Sequence, residues 1–370
     1  MKKVVTIGGA TQDIFIAYQN PQMLKLYSKK RKKDYLILEE GSKIEIENLR
    51  YSTGGGATNS AASFSRLGFL VSTILKVGDD NQADLVIEKL KQENIDTSYI
   101  VTSKDLHTGT SIVIPSISGD RTILAYRGSN SQLKKADIVQ DLIADADQIY
   151  ITSLSGQSSK LLPYITQLAK KHKVPVATNP GISQLAAGAP ELQESLAHID
   201  IFILNSEEAN EFMSTLIKLD ATLKHRIQNT TNTLEQTNAP QLLKSPIIHQ
   251  DISFGLNHYF TEILKRGPKI VVVTNGEEGV YVAYKNQIYF QPSIPAAVVS
   301  TLGAGDSFGS CFVASIASGK SIEEAMLYGV INSSSVIGYL DAKTGLLTRN
   351  ELEKRAAQIT TKRIIKFPLQ

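Results

Sequence analysis

The hydrophobic positions of this chain form short runs bounded by glycine, proline and other turn residues. Some runs are mainly apolar and do not alternate regularly with polar residues: 4–7, 71–75, 148–152, 174–178, 199–204 and 269–274. Continuous apolarity is typical of strands buried on both faces, as in a parallel sheet. Stretches with helical spacing lie between them: 58–67, 84–94, 158–172, 207–217, 306–318 and 321–336. The pattern predicts an α/β fold with a central, mostly parallel sheet flanked by helices.

Two regions instead predict antiparallel hairpins. In residues 35–48, an apolar run and a turn precede a segment at 43–47 that alternates charged and apolar residues. Residues 111–126 repeat this order of apolar run, turn and second run. Because alternation is typical of half-exposed strands, strand segments within 13–51 and 107–127 are expected to form a small β-sheet lid over the main domain.

Two segments fit neither pattern. Residues 219–260 are polar and rich in Asn, Thr and Gln, which predicts surface helices or a long loop inserted between a helix and a strand. Residues 29–33 are all Lys or Arg. Such a cluster is either solvated or in contact with an anionic partner.

The composition narrows the functional class. Hydrophobic residues make up 42% of the chain and charged residues 20%, as in ordinary globular proteins. The single cysteine, Cys311, cannot form an internal disulfide, which favours a reducing, cytoplasmic location. No run approaches the roughly 18 apolar residues of a membrane helix. The net charge of +3 gives no indication of a nucleic-acid or membrane partner.

The strongest chemical signal is a glycine-rich turn within residues 300–310. Gly303, Ala304 and Gly305 precede Asp306, which opens an apolar helix. Free N–H groups at a helix start bind anions, and glycine lets a phosphate approach closely. Asp306 is placed to accept a proton from an attacking hydroxyl. The alternative is that the glycines only make a turn and Asp306 only caps the helix.

A second glycine-rich turn leads into the helix predicted at 58–67. Gly55 and Gly56 allow close approach of a ligand, and Asn59 offers both a donor and an acceptor. The alternative is a tight turn with a helix cap. The Gly-x-Gly-x-x-Gly spacing of dinucleotide-binding proteins is absent, and so is the P-loop motif.

Two further motifs follow buried strands. Asn205 ends one strand and Glu208 follows it by one turn, where oxygen ligands for magnesium would stand at the carboxyl end of the sheet. The alternative is that acids are favoured there by the helix dipole. Thr274 and Gly276 form a turn that could hold a phosphate or sugar edge, or simply join two strands of a hairpin.

The order and spacing of the four motifs resemble the ribokinase family of carbohydrate and nucleoside kinases. The resemblance runs from Val4 to about Thr348. It implies one ribokinase-like kinase domain over residues 1–370, with residues 219–260 as an insertion. The family fold is a parallel α/β domain with a small β lid, which agrees with the predicted hairpins.

On the acceptor side, the resemblance implies that Gly55, Gly56 and Asn59 line the sugar site. Asp13, which follows the first strand, matches an acid that grips the hydroxyl groups of the substrate.

The nucleotide side is implied by the remaining motifs. The resemblance implies that Asp306 is the catalytic base and that residues 303–305 form the anion hole. It also gives a magnesium and nucleotide site. Its residues would be Asn205, Glu208 (Mg²⁺, through water), Thr274, Gly276 and Asn332, the last close to the adenine pocket.

The chain departs from the family at two places that concern a monovalent cation. Ser300 stands where the family usually has an Asp of the cation site, and residues 340–345 replace the usual Gly-Ala step. Potassium dependence is therefore doubtful. Without the ion, the glycine-rich turn must be held by other bonds, for example from Asp341 or Lys343.

The expected activity is the transfer of the γ-phosphoryl group of ATP, with Mg²⁺, to a hydroxymethyl group of a sugar. Two alternatives stay open at this point: a nucleoside kinase on the same fold, and a non-catalytic regulator that binds a sugar or nucleotide. The intact Asp306 and Glu208 argue against the regulator, because pure binding needs no base. A homodimer formed through the lid is a further expectation.

Overall fold

The computed structural model describes residues 1–17, 22–27, 32–115, 121–185, 190–228, 239–245, 247–249, 252–359 and 364–369. The strands are β1 (Lys3–Ile7), β2 (Thr11–Ala17), β3 (Gln22–Tyr27), β4 (Lys32–Ile37), β5 (Asn48–Gly54), β6 (Leu70–Gly78), β7 (Ile100–Ser103), β8 (Gly109–Pro115), β9 (Arg121–Tyr126), β10 (Gln148–Ile151), β11 (Val176–Thr178), β12 (Ile201–Asn205), β13 (Ile247–His249), β14 (Ile252–Phe254), β15 (Ile270–Asn275), β16 (Gly279–Tyr284), β17 (Gln287–Pro292) and β18 (Ile365–Pro368).

Helices connect most of these strands. They are α1 (Gly56–Arg66), α2 (Asn81–Gln92), α3 (Gln140–Ala144), α4 (Leu162–Lys171), α5 (Ile182–Leu185), α6 (Pro190–Ser195), α7 (Ser206–Leu219), α8 (Ala221–Gln228), α9 (Gln241–Lys244), α10 (Leu256–Lys265), α11 (Ala304–Ala317), α12 (Ile322–Val336) and α13 (Arg349–Gln358). Among the described residues, none of these helices combines the length and apolarity needed to cross a bilayer.

The main sheet has the order β18-β17-β16-β15-β12-β11-β10-β1-β6-β7. The pairs from β15 through β12, β11, β10, β1 and β6 to β7 are all parallel. The pairs from β15 to β18 are antiparallel. Each of the six apolar runs forms a strand of this sheet, so the prediction of a mostly parallel sheet is confirmed.

Continuous apolarity has a direct cause in the packing. Alternate residues of β1 enter different cores: Val5 and Ile7 pack on one face of the sheet and Val4 on the other. One core includes Phe212 of α7, and the other includes Phe308 of α11. Both faces of β1 therefore exclude water, and neither favours a polar alternation.

A second, smaller sheet has the order β5-β2-β8-β9. Strand β2 pairs antiparallel with β5 and parallel with β8, and β8 and β9 form an antiparallel hairpin. The hairpin predicted at 111–126 is thus present, although part of its predicted turn lies outside the described residues. We call these four strands the small sheet.

The hairpin predicted at 35–48 is wrong. Strand β4 pairs with β3, which precedes it, and residues 43–47 form no strand. The edge of β2 is occupied instead by β5, which starts at Asn48. The alternation at 43–47 suits a strand with one covered face. Here the side chains of Ile44 and Ile46 are 44% and 45% exposed. Pairing of this segment as a strand is therefore not stabilised by burial of an apolar face. Of the basic cluster, residues 29–31 lie outside the described residues.

The segment 219–260 is more ordered than predicted. Helices α8 and α9, the hairpin of β13 and β14, and the start of α10 lie in it, while residues 229–238 are outside the described ones. The prediction of surface structure is wrong for α10, because Tyr259 and Phe260 are fully buried. Leu256, Tyr259, Phe260 and Ile263 have the spacing of one helix face. That periodicity was a usable signal that the polar composition obscured.

Candidate active site

The glycine-rich turns predicted from sequence meet at the carboxyl edge of the main sheet. Asn59, in the first turn of α1, donates a hydrogen bond of 2.8 Å from Nδ2 to Oδ2 of Asp306, in the first turn of α11. The two helices pack against each other. Residues 247 positions apart in the chain are thereby joined in one site.

The start of α11 has the geometry of an anion site. Gly303 precedes the helix with φ of 77°, and a Cβ built there would lie 2.3 Å from Cβ of Ala342, so no larger residue fits. The N–H of Ala304 donates to the carbonyl of Thr301. Among the described residues, no acceptor takes the N–H groups of Gly305 and Asp306. These two amides, at the positive end of the helix dipole, are available to an anion.

Opposing effects act on the pKa of Asp306. Burial raises the pKa of its carboxyl group above the ordinary value, and the nearby Asp13 adds to this. The hydrogen bond from Asn59 and the charge of Lys343 act in the opposite direction. A raised carboxyl pKa brings a base closer to the operating pH, which suits proton transfer.

Asp13 lies on β2 and is 5% exposed. Thr11 donates a hydrogen bond of 2.8 Å from Oγ1 to Oδ1 of Asp13. The carboxylate lies against the backbone of Gly54, where a Cβ would come within 2.0 Å of Oδ2. Burial raises the pKa of Asp13, opposed by Thr11, Lys343 and other partners. The carboxylate is thus held in one orientation at the junction of the small sheet and α1.

Asn59 also keeps a free acceptor. Its side chain is 5% exposed, and its Oδ1 has no hydrogen-bond donor among the described residues. Gly55 caps α1 and accepts the N–H of Asn59, and Gly56 is the first residue of the helix. A buried amide oxygen without a partner costs free energy, so a ligand hydroxyl that donates to it would recover this cost.

Asn205 and Glu208 form a reciprocal helix cap. Glu208 N–H donates to Oδ1 of Asn205 (2.8 Å), and Asn205 N–H donates to Oε2 of Glu208 (2.9 Å). Burial raises the pKa of Glu208, and Glu207, Glu211 and Asp306 raise it further. Asn205 also pairs in register with Thr274 on β15. Asn205 and Glu208 therefore cap the start of α7, and this cap leaves Oε1 of Glu208 without a partner among the described residues.

A cavity of about 500 Å³ opens beside the start of α11. Thr274 and Gly276 line one side of it, and Ala304 and Gly305 line another. Apolar side chains complete the walls: Val280, Ile294, Val298, Phe308, Val330 and Ile337. This volume lies in the usual range of small-ligand sites. The apolar walls suit the flat base of a nucleotide, and the open amides at the start of α11 suit the phosphates of the same nucleotide.

Asn332 is not brought to this cavity. It is fully buried, its Nδ2 donates to the carbonyl of Ser307 (3.1 Å), and its Oδ1 accepts the N–H of Leu347 (3.0 Å). The following residues, Ser333 and Ser334, line the cavity instead. The amide of Asn332 is used to join α11, α12 and the segment after α12.

Two cations near the site were not predicted as site residues. Lys343 is 9% exposed, and its Nζ donates to the carbonyl (2.5 Å) and Oγ1 (3.2 Å) of Thr53. Arg121 of β9 donates to Oγ1 of Thr301, which joins the small sheet to the loop before α11. Neither residue belongs to a glycine-rich motif. The only sequence signal for Lys343 is that residues 340–345 depart from the family pattern.

Comparisons with known proteins show the family and the fold of this chain. Residues 22–241 and 242–349 match the sequence profile described as pfkB family carbohydrate kinase. The ribokinase of Staphylococcus aureus strain COL is 26% identical over 317 residues, covering 84% of this chain and 85% of that protein. The 5-dehydro-2-deoxygluconokinase of Bacillus subtilis strain 168 is 24% identical over 311 residues, covering 81% of this chain and 85% of that protein.

Among solved structures, Arabidopsis thaliana ribokinase complexed with ribose and ATP superposes with a TM-score of 0.72 at 21% identity. The alignment covers 96% of this chain and 99% of that one. The predicted ribokinase-like fold is therefore confirmed.

The contact between Gly54 and Asp13 gives a test of the acceptor side. In Gly54→Ala the new methyl group would displace the Asp13 carboxylate, so the KM for the acceptor should rise at least tenfold while the KM for ATP changes little. Overpacking of this kind also costs about 1–3 kcal/mol of stability. Steady-state kinetics with each substrate varied in turn measure the effect.

Gly338→Ala is the matched control. A Cβ at Gly338 meets nothing closer than 3.4 Å, so its kinetics should equal those of the unaltered protein. An acceptor KM within twofold of the unaltered value in Gly54→Ala would show that Asp13 does not bind the acceptor.

Proposed function

The chain belongs to the pfkB family of carbohydrate kinases, and on that basis we propose that it transfers the γ-phosphoryl group of ATP to a hydroxymethyl group of a carbohydrate. One observation carries the proposal. The free amides of Gly305 and Asp306 and the Asp306 carboxylate stand together, at the border between the 500 Å³ cavity and the small sheet. An anion site and a base in one helix turn are what phosphoryl transfer to a hydroxyl requires.

In the proposed reaction, Asp306 accepts the proton of the acceptor hydroxyl as its oxygen attacks the γ-phosphorus. The bond from that phosphorus to the bridging oxygen breaks, and ADP leaves. The amides of Gly305 and Asp306, with the dipole of α11, stabilise the charge on the transferring group. Asn59 orients the Asp306 carboxylate through its amide nitrogen.

Magnesium fits the oxygen donors at the end of β12. Oε1 of Glu208 has no partner among the described residues, whereas Oε2 is fixed by the backbone N–H of Asn205, and the charge of Asp306 acts on this carboxyl group. The described residues contain no cluster of three or more His, Cys, Asp or Glu able to hold a metal by itself. Mg²⁺ would therefore arrive with the nucleotide phosphates, neutralise their charge, and be held by Glu208 through water.

The small sheet supplies the acceptor side. Asp13, Ser52 and Ser111 lie side by side on one face of it, because Asp13 pairs in register with both serines. Together with Oδ1 of Asn59, this polar face offers acceptors and donors to several hydroxyl groups. Closure of the small sheet over the acceptor would exclude water, which otherwise competes for the phosphoryl group.

Asp306→Asn tests the assigned base. Asparagine has nearly the same shape and can still cap the helix, so fold and ATP binding should persist while kcat falls by about 10²–10⁴-fold. Melting temperature, ATP titration calorimetry and steady-state rates measure the three quantities. Retention of more than about a tenth of the unaltered kcat would remove Asp306 from the role of base.

A panel of acceptors tests the substrate class. Pentoses, hexoses and sugar acids are compared with adenosine, cytidine and inosine by ADP release in the presence of Mg²⁺-ATP. Phosphorylation of free sugars only supports the proposal, whereas preference for a nucleoside supports the nucleoside kinase. Thermal stabilisation by sugars without turnover of any acceptor would favour a non-catalytic regulator.

The residues at the glycine-rich turn do not fit a potassium ion. Ser300 offers a neutral hydroxyl, which already accepts the N–H of Leu302 (3.2 Å). The backbone N–H of Ser300 donates to the carbonyl of Ile337 (3.1 Å), and Ala342 packs on Gly303. The turn is thus held by bonds of the protein itself.

We therefore expect little dependence of the rate on potassium. Comparison of kcat in buffer free of sodium and potassium with kcat in about 100 mM potassium chloride, with choline chloride as the ionic-strength control, measures it. A potassium-specific rise of about tenfold, equivalent to ~1.4 kcal/mol of the barrier, would contradict this expectation.

The outer face of the small sheet supports a homodimer. Ile14 pairs in register with Tyr51 and Ile112, and Ile112 pairs with Leu124, so these four side chains share the face opposite Asp13. Tyr51 is 58% exposed and Leu124 is 53% exposed. Exposed apolar faces of this kind mark interaction sites, and a second copy of the same face is self-complementary.

Leu124→Lys should convert the proposed dimer to a monomer, because it places a charge on this exposed apolar face. Size-exclusion chromatography with light scattering measures the mass. Leu219→Lys, at an exposed leucine of α7, is the control and should leave the mass unchanged. A monomeric unaltered protein at micromolar concentration would overturn the dimer proposal.

A further inference from the structure

Lys343 is a buried cation in the candidate site. Its side chain is 9% exposed, and its Nζ donates hydrogen bonds to the carbonyl (2.5 Å) and hydroxyl (3.2 Å) of Thr53. Burying an ammonium group is costly unless anions compensate it. The charge of Lys343 acts on the carboxyl groups of Asp13 and Asp306, so its burial calls for a reason beyond the two contacts with Thr53.

The loop that carries Lys343 is tightly bonded. The Asp341 carboxylate accepts the N–H groups of Lys343 (2.8 Å) and Thr344 (2.8 Å). Arg66 of α1 donates to the carbonyls of Lys343 (2.9 Å) and Leu346 (2.8 Å). Arg66 is itself paired with Glu93 at 2.6 Å. The ammonium group is thus placed in advance rather than by a ligand.

This loop touches both halves of the site. On one side Ala342 packs against Gly303, at the start of α11. On the other side, Nζ of Lys343 donates to the carbonyl of Thr53. The next residue in the chain, Gly54, lies against the carboxylate of Asp13. Residues 341–345 therefore connect the helix start that carries Asp306 with the strand pair that carries Asp13.

The charges of the site are coupled through Lys343. Asp13 raises the pKa of Asp306, whereas Lys343 lowers the pKa of both carboxyl groups. Burial lowers the pKa of Lys343 to about 8, although Asp13, Asp341, Asp306 and Glu93 all act in the opposite direction. Two buried carboxylates that share a pocket without a cation would retain a proton between them.

Two further groups face Asp306 from neighbouring elements. These are Glu208 of α7 and Tyr150 of β10, and the charge of Asp306 raises the pKa of each. Neither is a cation, so neither replaces Lys343 in balancing the carboxylates.

We propose that Lys343 is a positioning residue of the kinase, whose fixed ammonium group is the counter-ion that lets Asp13 and Asp306 be ionised together at neutral pH. The inference rests on the proposed function, because ionised Asp13 grips the acceptor and ionised Asp306 accepts its proton. It adds a residue that contacts neither the acceptor nor the phosphates.

Lys343→Met removes the charge with little change in volume. The acidic limb of the kcat/KM profile should then move to higher pH by at least one unit, so activity at pH 7 falls about tenfold or more. The two profiles should converge above about pH 8, where Lys343 loses its own proton. A purely structural role predicts the same fractional loss at every pH, and that result would overturn the proposal.

Two further variants sharpen the test. Lys343→Arg keeps the charge and should keep the acidic limb in its original place. Lys76→Met is the matched control, because Lys76 is also a buried lysine, 7% exposed and 3.1 Å from Asp137. Its acidic limb should not move; an equal shift in Lys76→Met would show that loss of any buried lysine suffices.

A measurement without substrate separates this proposal from the proposed function. The ¹³Cγ signals of Asp13 and Asp306, assigned with Asp→Asn variants, are titrated by NMR. In Lys343→Met at least one of the two should titrate a unit or more higher. If that shift occurs and no acceptor is phosphorylated, only the proposed function fails. If an active kinase shows no shift, only the role of Lys343 fails.

A reciprocal measurement applies if Lys343→Met does not fold. The ¹³Cε signal of Lys343 is titrated in the unaltered protein and in Asp13→Asn. Loss of the carboxylate should lower the pKa of Lys343 by half a unit or more, because the coupling acts equally in both directions. An unchanged Lys343 titration would overturn the proposal.

Discussion

The hydrogen bond from Asn59 to Asp306 is the contact on which the rest of the site depends. It joins the first turns of α1 and α11, two helices that are far apart in the sequence. Strand β5 of the small sheet precedes α1, and the antiparallel strand β17 precedes α11, so the two helix starts meet because α1 packs against α11. Once the two helix starts are fixed, the amides of Gly305 and Asp306 stand in the same helix turn as the Asp306 carboxylate, on which the charge of Asp13 acts.

The parts of the fold that could be predicted from sequence are those in which burial acts on every residue of a segment. The runs at 4–7 and 199–204 are mainly apolar because both faces of β1 and β12 are covered. The prediction was wrong at 43–47 because alternation indicates only that a segment could be half-exposed. It does not identify a strand with which the segment pairs. In α10, a regular apolar periodicity stands next to a long polar segment, and the polar composition of that segment masks it.

The site was predictable to the extent that its chemistry is local. Gly303 and Asp306 are neighbours in sequence, so their shared role at a helix start follows from spacing alone. The position of Lys343 is set by Asp341, Arg66 and Thr53, which come from separate elements, and no spacing rule connects them. Asn332 shows the reverse case: its place on a helix beside the cavity was foreseen, but its amide is turned toward Ser307 and Leu347.

The charges of the site oppose the stability of the fold. The unfolded chain would hold Lys343 with a pKa of 10.5, whereas the folded protein holds it at about 8. Between these values the unfolded state binds more protons, so stability rises with pH there, and below about pH 8 the buried charge costs on the order of 3 kcal/mol. The raised pKa values of Asp13 and Asp306 mean that their ionisation also destabilises the fold. A core selected for stability alone would replace all three by apolar residues. Their retention at the junction of α1, α11 and the small sheet is understandable if the function needs two carboxylates charged at once, since that condition requires a cation between them.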